Sequence, residues 1–266
     1  MNKLLNHCFL YVIILTILVG CTTKEKVTED QISTKTKRPN ILFAFADDQS
    51  WLHTSVSGDK VVKTPAFDRI ANEGINFTHS FAASPSCTPS RSAVISGQDI
   101  WRIQEAGVLF GSIPKDLKIY PHMLSDAGYH VGYTGKGWLP GNYSDLGLEK
   151  DPIGKQYNEI PEGHIAEGIT NVNYSANFNE FLKDRKEGEP FCFWFGAREP
   201  HRVYEDGAGL MTGKKLEDVD VPPFWPDVDV VRSDILDYYY EIEWFDSHLA
   251  SMLKKLEEIG ELDNTI

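Results

Sequence analysis

Cysteine is scarce in this sequence. Four of 266 residues are Cys (Cys8, Cys21, Cys87 and Cys192), too few for the spaced pairs of a disulfide-built fold. Basic residues are short as well: Lys plus Arg number 26 against 39 Asp plus Glu, a formal net charge of −13. That balance excludes nucleic acid as the main partner, because a phosphate-binding surface needs an excess of Lys and Arg. Any anionic polymer would be repelled at long range and must be held by local cations. Long apolar runs are also missing. Phe9 to Val19 is broken only by Thr16, yet at about 11 residues it is too short for a stable bilayer span. Internal repeats are absent. What is present is 41% hydrophobic, 24% charged and 12% aromatic residues, which is the composition of a globular chain of one large or two modest domains.

The first 20 residues read as a leader. Lys3 supplies a positive start and Phe9–Val19 the apolar stretch of a signal peptide. Leu18-Val19-Gly20-Cys21 resembles a bacterial lipobox, in which Cys21 would be lipidated, palmitate included, and become the new N-terminus. The expected product is an exported lipoprotein held on a bacterial membrane, the outer membrane on its periplasmic or cell-surface side. Residues 22–38 are polar, charged and without apolar period, and read as a tether. The organisation expected is therefore 1–20 signal, 21–38 tether and 39–266 folded domain. Cys8 leaves with the signal, so only Cys87 and Cys192 remain in the folded part.

The folded part alternates strands and helices. Asn40–Ala46 (NILFAFA) and Phe191–Ala197 (FCFWFGA) are continuous apolar runs, the pattern of strands buried on both faces. His130–Thr134 reads as a further strand and Ile75–Phe81 as a short one. Thr64-Pro65 opens a helix to Gly74, with Thr64 as N-cap and Pro65 at the first helical position. Ser84–Arg91 is a Ser- and Pro-rich turn leading into a helix over Arg91–Gly97. Leu117–Gly128 and Tyr174–Lys186 are helices, and Arg232–Ile259 is a long one. Its apolar residues Ile235, Tyr239, Ile242, Leu249, Leu253, Leu256 and Ile259 step by three and four, with Asp246 in the gap. Strands separated by helices imply an α/β fold with a mostly parallel central sheet between helices. In such sheets function gathers past the carboxyl ends of strands. Three strand ends here carry Asp47-Asp48, Gly135-Lys136 and Glu199-Pro200-His201.

Ser86-Cys87-Thr88-Pro89-Ser90-Arg91 contains Cys-x-Pro-x-Arg. It stands in register with Arg38-Pro39-Asn40, Asp47-Asp48, Thr64-Pro65, Asp68, Ser96-Gly97, Thr134-Gly135-Lys136 and Pro200-His201. From Pro39 onward the chain resembles the type I, formylglycine-dependent sulfatases. That resemblance implies an alkaline-phosphatase-like fold. It also implies that Cys87 is oxidised by a formylglycine-generating or anaerobic sulfatase-maturing enzyme to an aldehyde. Hydration gives a geminal diol; one oxygen attacks sulfur and the other later expels sulfate. Pro89 and Arg91 belong to what the maturation enzyme reads, and Arg91 then orients the modified residue. A helix N-terminus beside Cys87 would favour the anion. By the same resemblance Asp47, Asp48 and the modified Cys87 would ligate Ca²⁺, or Mg²⁺, both oxygen-seeking ions. Lys136 would grip a sulfate oxygen, and His201 would contact sulfate and protonate the leaving group.

Beyond the motif, Arg202 is a candidate contact to an anionic sugar. Trp138 stands where many family members carry a His, leaving that His's role unassigned; it is either a sugar-stacking platform or core. The family has a further strand after a helix like Arg232–Ile259, ending in Asp-Asn or Asp-His ligands. Here Leu262-Asp263-Asn264-Thr265-Ile266 lies where that strand would start, so the N-terminal part of the domain is expected. The surroundings of His201, Val221-Pro222-Pro223 and the Asp237-Tyr238 helix are most similar to the heparan N-sulfatase branch. The substrate implied is a sulfated polysaccharide or its oligosaccharides, an algal polymer such as ulvan or a glycosaminoglycan. Two alternatives stay open: a phosphonate or phosphodiester hydrolase of the same superfamily, and an inactive truncated surface lipoprotein.

Overall fold

The computed structural model describes residues 37–145 and 147–266. The leader, most of the tether and Cys21 lie outside the described residues. Among the described residues no helix is long and apolar enough to cross a membrane.

Among the described residues the strands and α-helices follow in order: β1 (Ile41–Phe45), α1 (Pro65–Glu73), α2 (Cys87–Ser96), α3 (Tyr120–Asp126), β2 (His130–Gly135), β3 (Lys155–Gln156), α4 (Tyr174–Asp184), β4 (Phe191–Gly196), α5 (Ala208–Met211) and α6 (Asp229–Glu258). The sheet order is β1-β4-β2-β3 and every pairing is parallel, as the alternating pattern requires. Chain-distant β1 and β4 thus become neighbours, with Phe45 opposite Gly196. Gly135 lies opposite Gly196 on the other side. The three strands therefore end level.

β4 explains why both faces are covered. Phe191, Phe193 and Phe195 enter one core with Phe178 and Phe181 of α4 and Phe245, Leu249 and Met252 of α6. Trp194 points the other way, into a core with Ile95 of α2, Tyr133 and Trp138. Period-two alternation with apolar residues on both sides produces a strand that is buried throughout. β1 differs from its expectation: all five residues are only half buried. It has β4 on one side. Its other edge takes a parallel bridge from Thr265 to Asn40, with Leu42 N–H donating to the Ile266 carbonyl at 2.8 Å.

Several local expectations are corrected. Residues 75–81 form no strand; Ile75, Phe77 and Phe81 are exposed and pair with no strand among the described residues. α2 begins at Cys87 rather than Arg91, because Pro89 falls within the first turn, where its missing N–H costs no helical bond. The helix near 117–128 is shorter, Tyr120–Asp126. Thr64 makes no side-chain cap to α1. Instead Asp246 of α6 accepts the N–H groups of Ala66 and Phe67 at 2.9 and 2.8 Å. The charged interruption in the α6 stripe is therefore the cap of another helix.

Candidate active site

The level strand ends are knitted by the backbone. Asp47 N–H donates to the Glu199 carbonyl at 3.1 Å, Ala197 N–H to Phe45 at 3.1 Å, and Lys136 N–H to Gly196 at 2.6 Å. Close approach at this seam requires glycine. A Cβ on Gly135, whose φ is +77°, would meet the Gly196 carbonyl oxygen at 2.1 Å. Lys136 is thereby delivered toward the end of β1.

α2 brings the third component. Cys87 is its first residue, after an extended Ser86, so the positive end of the helix faces the side chain. Cys87 Sγ lies 3.6 Å from Asp47 Oδ1 and 3.1 Å from Lys136 Nζ. Lys136 also donates to the Asp47 carboxylate. One turn on, Arg91 is fully buried. Its Nη1 donates to the carbonyls of Lys136 and Gly137 at 3.0 and 2.9 Å. Its Nη2 faces Asp47 at 3.4 Å without hydrogen-bond alignment, and the Phe45 ring lies under the guanidinium at 4.9 Å. Burial draws the Arg91 pKa down against the opposing pull of Asp47. Burial likewise pushes Asp47 up, but Arg91 and Lys136 outweigh it and hold the carboxyl below the usual carboxylate range.

Asp48 and His201 form the open side. Asp48 adopts φ +63°, which Asp tolerates better than most residues, and its carboxylate lies 3.6 Å from His201 Nε2. His201 is half exposed and its Nδ1 bonds the Arg202 carbonyl at 2.6 Å. Two residues outside the expected site support these turns. Buried Glu199 accepts from the Tyr174 hydroxyl at 2.7 Å and the Thr170 N–H at 2.9 Å. Asn158 clamps the turn before Lys136, accepting the Gly135 N–H at 2.7 Å and donating to its carbonyl at 3.1 Å. Charge between a buried strand and Pro-His was a usable signal for Glu199; nothing marked Asn158.

The two further sugar-contact candidates differ. Trp138 is fully buried; its indole N–H donates to Ser92 at 2.8 Å inside the second core, so it offers no face to a sugar. Gly141 makes the room, since a Cβ there would meet the indole at 2.4 Å. Arg202 is exposed but its guanidinium is committed to Asp234. Cys192 is buried and both folded-part cysteines are free, which removes a disulfide between them.

Asp47, Cys87 and His201 each bring one donor atom to within 4.8 Å of the others. With Asp48 they offer two hard carboxylates, and buried Asp47 already draws two cations onto itself. The set fits a hard divalent cation in kind, while supplying fewer than the roughly six to eight oxygens of a calcium sphere.

Residues 39–266 match the Sulfatase family model. The chain is 29% identical over 252 residues to an ulvan-active sulfatase of Formosa agariphila, covering 92% of this chain and 47% of that one. It is 30% identical over 189 residues to an N-acetylglucosamine-6-O-sulfatase of Bacteroides thetaiotaomicron, covering 63% and 32%. The fold is shared with a solved protein in complex with its substrate D-glucosamine-2-N,6-O-disulfate, with TM-score 0.63 and 20% identity over 86% of this chain and 64% of that one. The chain spans about half or less of the length of these curated relatives.

Proposed function

This chain belongs to the sulfatase family, and we propose that it hydrolyses sulfate esters of a sulfated polysaccharide or its oligosaccharides, of the ulvan or glycosaminoglycan kind. The observation that carries the reading is the contact of Lys136 Nζ with Cys87 Sγ at 3.1 Å, beside an ionised, buried Asp47. It gathers a nucleophile position, a cation for a sulfate oxygen and a cation-binding carboxylate at one helix N-terminus. The named substrates of the two relatives above support the polysaccharide class.

Residue 87 would act as formylglycine, made from Cys87 by a maturation enzyme; its hydrated form supplies the attacking oxygen. Asp47 and Asp48 would hold Ca²⁺ or Mg²⁺, which supplies positive charge to the sulfate oxygens. Lys136 binds a sulfate oxygen through its ammonium, and the N-terminus of α2 adds its partial positive charge. Arg91, locked by two carbonyls, fixes the position of residue 87 and Asp47. His201, on the open side, donates a proton to the leaving sugar oxygen. Lipidation at Cys21 would hold the enzyme on a bacterial membrane facing an external glycan, a reading that rests on the lipobox-like Leu18–Cys21. Radiolabelled palmitate incorporation that survives Cys21→Ser would refute it.

The decisive experiment is sulfate release from ulvan or glycosaminoglycan oligosaccharides after coexpression with a formylglycine-generating enzyme. The expected result is sulfate release that Cys87→Ala abolishes, with an aldehyde-bearing Cys87 peptide by mass spectrometry. Unmodified thiol together with undiminished sulfate release would overturn the nucleophile assignment; no release from any sulfated glycan by the modified chain would overturn the function.

A further inference from the structure

The cavity opening from Asp47 and Cys87 encloses about 830 Å³, inside the range of roughly 300–1,000 Å³ found for small-molecule sites. One wall is the turn after α2, with Gln98, Asp99 and Arg102; another carries Phe81, whose ring is 88% exposed and free to meet the apolar face of a sugar. The cationic side chains of the walls are Arg91 and Arg102. Arg91 is fully buried, bonded through Nη1 to two carbonyls and facing Asp47, so it presents no exposed cation to a substrate. Arg102 is exposed, and among the described residues its guanidinium has neither an ion pair nor a hydrogen bond. Arg69, Arg185, Arg202 and Arg232 are each paired to a carboxylate; Arg198, exposed after β4, has no ion pair among the described residues but does not line this cavity. The Asp99 backbone carbonyl accepts the Arg102 N–H at 2.9 Å, and the Asp99 carboxylate makes no ion pair with the guanidinium among the described residues.

A chain of net charge −13 repels a polyanion, so an unpaired guanidinium in the wall of the reacting cavity is the local cation such a substrate needs. We infer that Arg102 binds a second oxyanion of the glycan, a sulfate or carboxylate group, while the scissile sulfate lies at Cys87. This specificity site rests on the function proposed above. Its planar fork suits an oxyanion better than a lysine would. The wall thereby selects multiply charged sugars over singly sulfated ones.

The test is calorimetric titration of the chain with two probes, glucosamine-2-N,6-O-disulfate and glucosamine-6-O-sulfate, for wild type, Arg102→Gln and Arg102→Glu. Wild type should bind the disulfated sugar about tenfold more tightly, the scale of one charge-assisted contact. Arg102→Gln should bring that ratio close to one, and Arg102→Glu should invert it. An unchanged ratio in both variants overturns the Arg102 site and leaves the proposed function standing. Failure of wild type to prefer the disulfated sugar likewise overturns the Arg102 site, while the proposed function is decided separately by sulfate release.

Discussion

Lys136 Nζ lies 3.1 Å from Cys87 Sγ, although the two residues stand 49 positions apart on the end of β2 and the start of α2. The contact arises from two backbone facts. Gly135 lets β2 close on β4, and α2 starts at Cys87 rather than a turn later. Removing the ammonium should therefore act on chemistry more than on folding. Lys136→Ala should lower kcat for sulfate release by about 10²–10³, the cost of losing one oxyanion donor, with denaturation midpoints little changed. Equal kcat in the two proteins would contradict the role given to Lys136.

Trp138 should behave as a core residue. Replacing it with Ala removes a fully buried indole and its bond to Ser92, and the expected loss is about 3–5 kcal/mol of stability in urea denaturation. A stable Trp138→Ala protein with weakened glycan binding would instead restore the stacking role.

Glu241 couples stability to pH. It is 1% exposed and both its oxygens lack a hydrogen-bond partner among the described residues. Burial, with Glu199 adding, pushes its carboxyl up to about 8 from an ordinary 4.5. Below the ordinary value the group is neutral folded or unfolded and adds no pH dependence. Between the two values the unfolded chain ionises while the folded chain stays neutral, so stability falls as pH rises, and the loss is complete above the folded value. Glu241→Gln removes this dependence. Urea midpoints of variant and wild type should differ least near pH 4 and diverge in the variant's favour up to about pH 8. A constant difference across that window would contradict the assignment.

The two cysteines of the folded part should separate by reactivity. Cys192 is 2% exposed and burial pushes its thiol up to about 12, whereas Cys87 opens into the cavity. In chain made without a maturation enzyme, iodoacetamide should label the Cys87 peptide in the native state and Cys192 only after denaturation. Equal native labelling of both would show that the strand β4 core is open.

The parts legible in the sequence were those where one residue pattern has one structural solution. FCFWFGA is a strand covered on both faces, as its unbroken apolar run suggests, and the charged residues directly after such strands converge because parallel strands end on one side. The parts that were not legible depend on partners far along the chain. Asp246 looked like a flaw in the α6 stripe until the free N–H groups of Ala66 and Phe67 were beside it. Ile75, Phe77 and Phe81 have strand-like composition, but composition does not supply a neighbouring edge. Trp138 could stack on a sugar or fill a core, and only Ser92 and Gly141, distant in sequence or lacking a side chain, decide it.

The proposed function requires the cavity to prefer sulfate esters over phosphonate esters. The most direct measurement is the ratio of kcat/KM for an aryl sulfate to that for an aryl phosphonate monoester, on chain carrying the modified Cys87. A ratio well above one that collapses with Lys136→Ala is expected. A ratio below one in the wild-type chain would contradict the proposed function.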